Sequence, residues 1–153
     1  MLEIRQYSEA DHDEVWNLHN VALNQVGSHV GNGVWDDDLH HIQAVYFDNN
    51  GEFLVGICDN LIVAMGAFRN ICDKVAEITR MRVLPAYQGR GFGRTILQEL
   101  ERRAIKQGYT RLHLDTSTGQ IVAQQLYLHN GFKETRRAFI EGFNCIVYEK
   151  EIG

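Results

Sequence analysis

Residues 88–94 read Gln88-Gly89-Arg90-Gly91-Phe92-Gly93-Arg94 and precede a run with helical spacing. Three glycines in alternate positions free the backbone to turn tightly. A helix starting here offers unpaired N–H groups and the positive end of its dipole. That combination binds anions, and Gln88, Arg90 and Arg94 add donors and charge that suit a phosphate or pyrophosphate. A glycine turn joining strand to helix is also a common plain connection, and the hexapeptide alone leaves both open. Two other glycine loops fit less well. A P-loop ends in Gly-Lys-Ser/Thr, whereas Gly93 is followed by Arg94 and Thr95. A dinucleotide fingerprint places its turn directly after the strand and a small residue near position 96, but Leu84 to Gln88 intervene and Ile96 is large. Asp115, at the end of the next strand, keeps that alternative open.

Other chemistry-bearing residues are less ordered along the chain. Asp36, Asp37 and Asp38 open a run with helical spacing, so they read first as N-terminal capping and dipole partners, and second as attractors of a cationic substrate. His19 falls on an apolar helix face, as a packed core histidine does. His40 and His41 are adjacent and face different ways on a helix, and no Cys-x-x-Cys pair is present, so no metal site is predicted. Cys58, Cys72 and Cys145 are odd in number and far apart, which suits reduced thiols in an intracellular, cytoplasmic protein.

The elements that must position these residues follow from periodicity. Leu2 and Ile4 alternate with charged neighbours as a strand, Ser8-x-x-Asp11 has capping-box form, and Val15, Leu18, His19 and Ala22 make one helix face ending near Asn24. Gln25 to Trp35, with three glycines, reads as a loop, and a second helix is predicted from Asp36 through Tyr46. Glu52–Cys58, Leu61–Arg69 and Lys74–Val83 read as a meander of three strands, with a hairpin turn at Asp59-Asn60. Ile96, Leu97, Leu100 and Ala104 form a helix stripe closed by Gly108. Thr110–Asp115 is then a strand parallel to the one ending at Val83. A short helix from Gln120 to Asn130 and a hairpin of Phe132–Arg137 with Asn144–Lys150 complete the chain. An exposed hairpin there offers an edge through which a homodimer could pair.

The 153 residues, 44% hydrophobic and 23% charged, fit one domain spanning 1–153 with its own core. A net charge of −5 argues against nucleic acid, and no apolar run is long enough for a membrane span.

The order of elements, and the run Glu77-Ile78-Thr79-Arg80-Met81-Arg82-Val83-x-Pro85 leading into Gln88-x-x-Gly91-x-Gly93, resembles the GCN5-related N-acetyltransferase (GNAT) family. Ala123-x-x-Leu126-Tyr127-x-x-x-Gly131-Phe132 is similar to that family's downstream motif. The resemblance covers about Glu52 to Phe132 and is weak before Gln43, where members differ to suit different acceptors. It implies an α/β (α+β) fold: a single mixed, mostly antiparallel twisted sheet of about seven strands with helices on both faces.

The resemblance further implies acetyl-coenzyme A as co-substrate. Its pantetheine arm would lie along the backbone of Met81, Arg82 and Val83, its pyrophosphate would rest on the N–H groups from Gln88 through Arg94, and Thr116 and Gln120 would make further contacts. Most members have Asn at the place of Gln120. Tyr127 matches the family's general acid, and Glu77 matches a position where some members carry a catalytic glutamate. Glu77 is alternatively a strand carboxylate that faces solvent or pairs with Arg80, with a water chain serving as base. The function so implied is acetyl transfer to a primary amine of a small molecule or peptide, by direct attack in a ternary complex. A non-catalytic acyl-coenzyme A-binding module is the alternative. Trp35 and Tyr46 are candidates for lining the acceptor pocket.

Overall fold

A computed structural model describes residues 1–25 and 34–153 of the chain. Its seven strands are β1 (Glu3–Gln6), β2 (Glu52–Cys58), β3 (Leu61–Cys72), β4 (Val75–Val83), β5 (Arg111–Ser117), β6 (Lys133–Ile140) and β7 (Phe143–Glu151). They form one sheet in the order β1-β2-β3-β4-β5-β7-β6, antiparallel throughout except for the parallel pair β4 and β5. The helices are α1 (His12–Gln25), α2 (Ile42–Val45), α3 (Phe92–Lys106) and α4 (Ile121–His129). The mixed, mostly antiparallel sheet expected from the sequence is therefore the observed one.

Each face of the sheet buries its own apolar cluster. On one, Ile96, Leu97, Leu100 and Ala104 of α3 pack against Leu54, Ala64, Phe68, Ile78, Leu112 and Leu114. The approach is close: a Cβ at Gly66 of β3 would lie 2.6 Å from Ile96 and from Met81, so only glycine fits there. On the other face, Val15 and Leu18 of α1 pack with Leu39, Ile42 and Tyr46 against Phe53, Val55 and Met65. Alternation of side chains along β2 and β3 supplies both faces.

Several boundaries differ from expectation for identifiable reasons. The helix predicted from Asp36 to Tyr46 is instead a 3-10 segment (Val34–His40), the single turn α2, and a second 3-10 turn (Phe47–Asn49). In 3-10 geometry side chains three apart eclipse, and Asp36, Leu39 and Ile42 are all buried on one side. β6 and β7 extend to a tight turn at Glu141-Gly142, whose φ angles of 49° and 87° match the twist of a hairpin. The Asp59-Asn60 turn adopts the same left-handed pair, 54° and 63°, as predicted.

Two features shape the centre of the sheet. In β4 the register with β3 steps from Met65↔Arg82 to Ala67↔Thr79, and Arg80 takes the extra place at φ 58°. Such a bulge bends its strand. In addition, β4 and β5 pair only at Val75↔Arg111, Ala76↔Leu112 and Glu77↔His113. Beyond that point both strands continue without pairing to each other.

Candidate active site

The divergence of β4 and β5 opens a cavity of about 960 Å³ lined by both strands, by the loop before α3 and by α4. Its β4 wall presents backbone that no other strand pairs with. The Leu84 N–H donates to the Val63 carbonyl at 2.8 Å, so the alternate residues Met81 and Val83 turn their N–H and C=O groups away from β3 and into the gap. Gln88 Nε2 donates to the Val83 carbonyl (3.1 Å) and Arg82 Nη1 to the Met81 carbonyl (2.8 Å). Met81 and Val83 thus form an open strand edge available to an extended ligand.

At the mouth, Gly89 and Gly91 have φ of 79° and 81°, and Gly91 is the N-cap of α3. A Cβ at either glycine would touch nothing within 4 Å, so it is backbone conformation that requires glycine here. Gly93 has Leu126 of α4 at 3.6 Å from such a Cβ. Gln88, Gly89, Gly91, Phe92, Gly93 and Arg94 all border the cavity, although the Phe92 ring itself turns into the core. Arg90 stands with its guanidinium 4.8 Å above the Tyr87 ring instead.

Opposite β4, Thr116, Gln120 and Tyr127 border the same cavity. Gln120 is the N-cap residue of α4. The Tyr127 ring is buried against Phe132 and Tyr148, with centroids at 5.7 and 6.2 Å. Burial pushes its phenol up to about 12, Arg82 acts in the opposite sense, and Asp115 adds to the rise.

Glu77 lies where β4 and β5 part. Its Oε1 accepts from Arg69 Nε at 2.7 Å, so its partner is Arg69 of β3, not Arg80. His113 and Asp115 of β5 bring ligand atoms to within 4.8 Å of Glu77 and of each other. These three groups are arranged to hold a cation or to pass a proton. His113 Nδ1 also lies 3.1 Å from Glu149, and the Asp115 carboxyl is raised by partial burial and then by Glu77. The no-metal expectation overlooked this cluster, because its members come from two strands far apart in sequence.

Behind the bulge of β4 lies a network the sequence did not reveal. Arg80 donates to Asp38 through Nε (3.0 Å) and Nη2 (2.5 Å), and Tyr46 donates to the same carboxylate at 2.5 Å. Arg80 Nη1 is 3.7 Å from Asp36, which lies 2.8 Å from His19 Nε2. The buried Asp36 and the half-buried Asp38 are thus engaged by Arg80 and its neighbours, while Asp36 and Asp37 stand in the first turn of the 3-10 segment as the dipole reading expects. Tyr46 borders the cavity, while its hydroxyl is committed to Asp38. The Trp35 side chain and the glycine loop at 27–33 lie outside the described residues. His19 is fully buried as predicted. Its Nδ1 has no partner, so Nε2 carries the proton given to Asp36.

Comparison with known proteins bears on this arrangement. The model of the acetyltransferase (GNAT) family matches residues 8–132. The chain belongs to that family. It is 31% identical over 111 residues to N-acetyltransferase 8F1 of Rattus norvegicus, an alignment covering 69% of this chain and 50% of that protein. The chain thus spans about half the length of that relative, and less of some others. Among solved structures, a GNAT acetyltransferase of Staphylococcus aureus Mu50 superposes with a TM-score of 0.91 at 19% identity, covering all of both chains. The PaiA N-acetyltransferase of Thermoplasma acidophilum, solved with coenzyme A, superposes with a TM-score of 0.80 at 20% identity, covering 99% of each chain. At those identities the likeness is one of fold. No helix among the described residues is long and apolar enough to cross a membrane.

Proposed function

We propose that residues 1–153 form a single acetyltransferase domain that uses acetyl-coenzyme A to acetylate a primary amine of a small molecule or peptide. The observation that carries this is the unpaired edge of β4 running directly into the glycine turn before α3. The pantetheine arm adds to Met81 and Val83 as a further strand would, and the pyrophosphate sits on backbone N–H groups between Gln88 and Arg94. The acetyl group is thereby delivered toward the point where β4 and β5 meet, between Glu77 and Tyr127. The acetyl- and coenzyme A chemistry of the relatives named above supports the same donor.

Transfer is by direct attack in a ternary complex. A lysine-like amine, with a pKa near 10.4, must lose a proton before attack, at a cost of roughly 4–5 kcal/mol at pH 7. Glu77, with Asp115 and His113 beside it, receives that proton directly or through water. The amine nitrogen forms a bond to the thioester carbon, the C–S bond breaks, the sulfur leaves with its electron pair and takes the Tyr127 hydroxyl proton, and the second proton of the acylated nitrogen passes through water to the Tyr127 oxygen and restores the phenol. A main-chain N–H of the Glu77 to Val83 stretch faces the developing oxyanion. The step requires no metal. Free Cys58, Cys72 and Cys145 suit the reducing cytoplasm, and a homodimer would form most simply along the β6 edge of the sheet.

The alternative is a module that binds an acyl-coenzyme A without turning it over. Thiol release from acetyl-coenzyme A across a panel of amines, with calorimetric titration of coenzyme A alongside, separates the two. Turnover of at least one amine is expected, whereas tight coenzyme A binding with no turnover on any of them favours the binding module.

A further inference from the structure

Arg82, two positions after the bulge on β4, is a cation whose donors the fold leaves largely unused. Its Nη1 donates to the Met81 carbonyl. Its Nε has no exposed surface and no hydrogen-bond partner. No carboxylate among the described residues forms an ion pair with it, and the eight residues outside that set, Val26 to Gly33, include no Asp or Glu. The nearby acids are committed elsewhere: Asp38 to Arg80 and Tyr46, and Asp36 to His19 with Arg80 close by. Burial, with Arg80 as a neighbouring like charge, lowers the Arg82 guanidinium to about 10. A buried donor left unsatisfied costs about 1–3 kcal/mol, and more when charged, so such a group points to a ligand that completes it.

Arg82 borders the cavity on the wall that faces Tyr127. The phosphates of the cofactor, on the proposed pose, lie farther along at the glycine turn. The pantetheine arm, pairing with β4, would take the Met81 carbonyl and free Arg82 Nη1 as well. The remaining ligand in a ternary complex is the acceptor. A guanidinium fork matches a carboxylate in plane and in spacing, and it repels a second cation. The triplet Asp36–Asp38 offers a cationic acceptor little compensation, since Arg80 already holds Asp38 and lies beside Asp36.

We propose that Arg82 binds a carboxylate of the acceptor, so that the acetylated amine belongs to an amino acid or a comparable small amino-carboxylate rather than to a polyamine or a protein lysine. This rests on the acetyl-transfer reading above and specifies the other half of its reaction. Arg82 selects the substrate and positions its amine, and takes no part in proton transfer.

The test follows thiol release from acetyl-coenzyme A with the standard amino acids, their α-carboxamides, the corresponding decarboxylated amines, a polyamine and a lysine peptide. For the best acceptor, kcat/KM is expected to fall at least about 100-fold on conversion of the carboxylate to the amide. Arg82→Met is expected to bring the acid-to-amide ratio to within about fivefold of unity, by loss on the acid alone. Should that variant not fold, the acid-to-amide comparison on the unaltered protein decides the matter. Equal turnover of acid and amide, or turnover confined to amines without a carboxylate, overturns the role of Arg82 and leaves acetyl transfer intact. Coenzyme A binding with no turnover of any amine overturns acetyl transfer and this inference with it.

Discussion

Glu77 and His113 are the last residues to pair across β4 and β5, and the strands part immediately after them. Glu77 therefore stands at the border of the cavity, with the His113 imidazole beside it and Asp115, one alternation farther along β5, also bordering the cavity. Sheet geometry, not a local motif, makes this site.

That placement gives a prediction for the base. Arg69 occupies one oxygen of Glu77 and leaves the other for an incoming proton. Glu77→Gln is expected to lower kcat by about 10² to 10⁴ and to remove the acidic limb of the pH–rate profile. The full pH dependence of kcat/KM measures this. A Glu77→Gln profile with an unshifted acidic limb would remove Glu77 from the role.

Tyr127 is expected to act late in the reaction. A phenol at about 12 facing a thiol near 8.5 differs from it by roughly 5 kcal/mol, so complete proton transfer in the ground state is unfavourable. The phenol instead hydrogen-bonds to the sulfur as the C–S bond lengthens. Tyr127→Phe keeps the ring packing against Phe132 and Tyr148. It is expected to reduce kcat by about 10² to 10⁴ with little change in KM for acetyl-coenzyme A. An unchanged kcat on the true acceptor rules out the acid role.

What the sequence disclosed, and what it hid, follows from the range of the interactions. The glycine turn, the α3 stripe and the Asp59-Asn60 hairpin are local, and each is present where residue type and spacing put it. Arg80, Asp36 and Asp38 were hidden. Asp36 to Asp38 carry the residue types of a helix N-terminus, and nothing within a few positions shows that a β4 arginine reaches them. The same bulge that sets Arg80 at φ 58° is invisible in the alternation of β4. A charged residue inside an apolar strand was the available signal, and both Arg80 and Arg82 gave it.

The glycine turn separates conformational from steric demands. Gly91 sits at φ 81° with open space around it, so Gly91→Ala forces a side chain into the left-handed region at roughly 1–2 kcal/mol. Thermal unfolding is expected at a temperature lower by several degrees, together with about tenfold weaker coenzyme A binding. Gly93→Ala meets Leu126 at an ordinary 3.6 Å and should leave stability almost unchanged. If its N–H lies against the pyrophosphate, coenzyme A affinity falls there too. Calorimetric titration and thermal melts on both variants resolve the two effects.

The buried His19 makes stability depend on pH within a defined window. Its folded-state value is lowered from 6.5 to about 4, first by burial and then by the charges of Arg82 and Arg80, against the opposing pull of Asp36. Between those values the unfolded chain binds the proton and the folded chain does not. The contribution is therefore complete above pH 6.5 and is lost progressively as pH falls toward 4, by about 3 kcal/mol in all. Asp11 and Glu99, both lowered by arginine partners, add to the decline only toward its acidic end, and Asp115, raised by partial burial, opposes it, so His19 is identified by its substitution. Urea unfolding at pH 7, 6 and 5 is expected to show the decline. His19→Asn, which retains a donor for Asp36 and does not titrate, is expected to be less stable at pH 7 yet nearly flat over the same range. An equally steep decline in that variant would assign the pH dependence to another group.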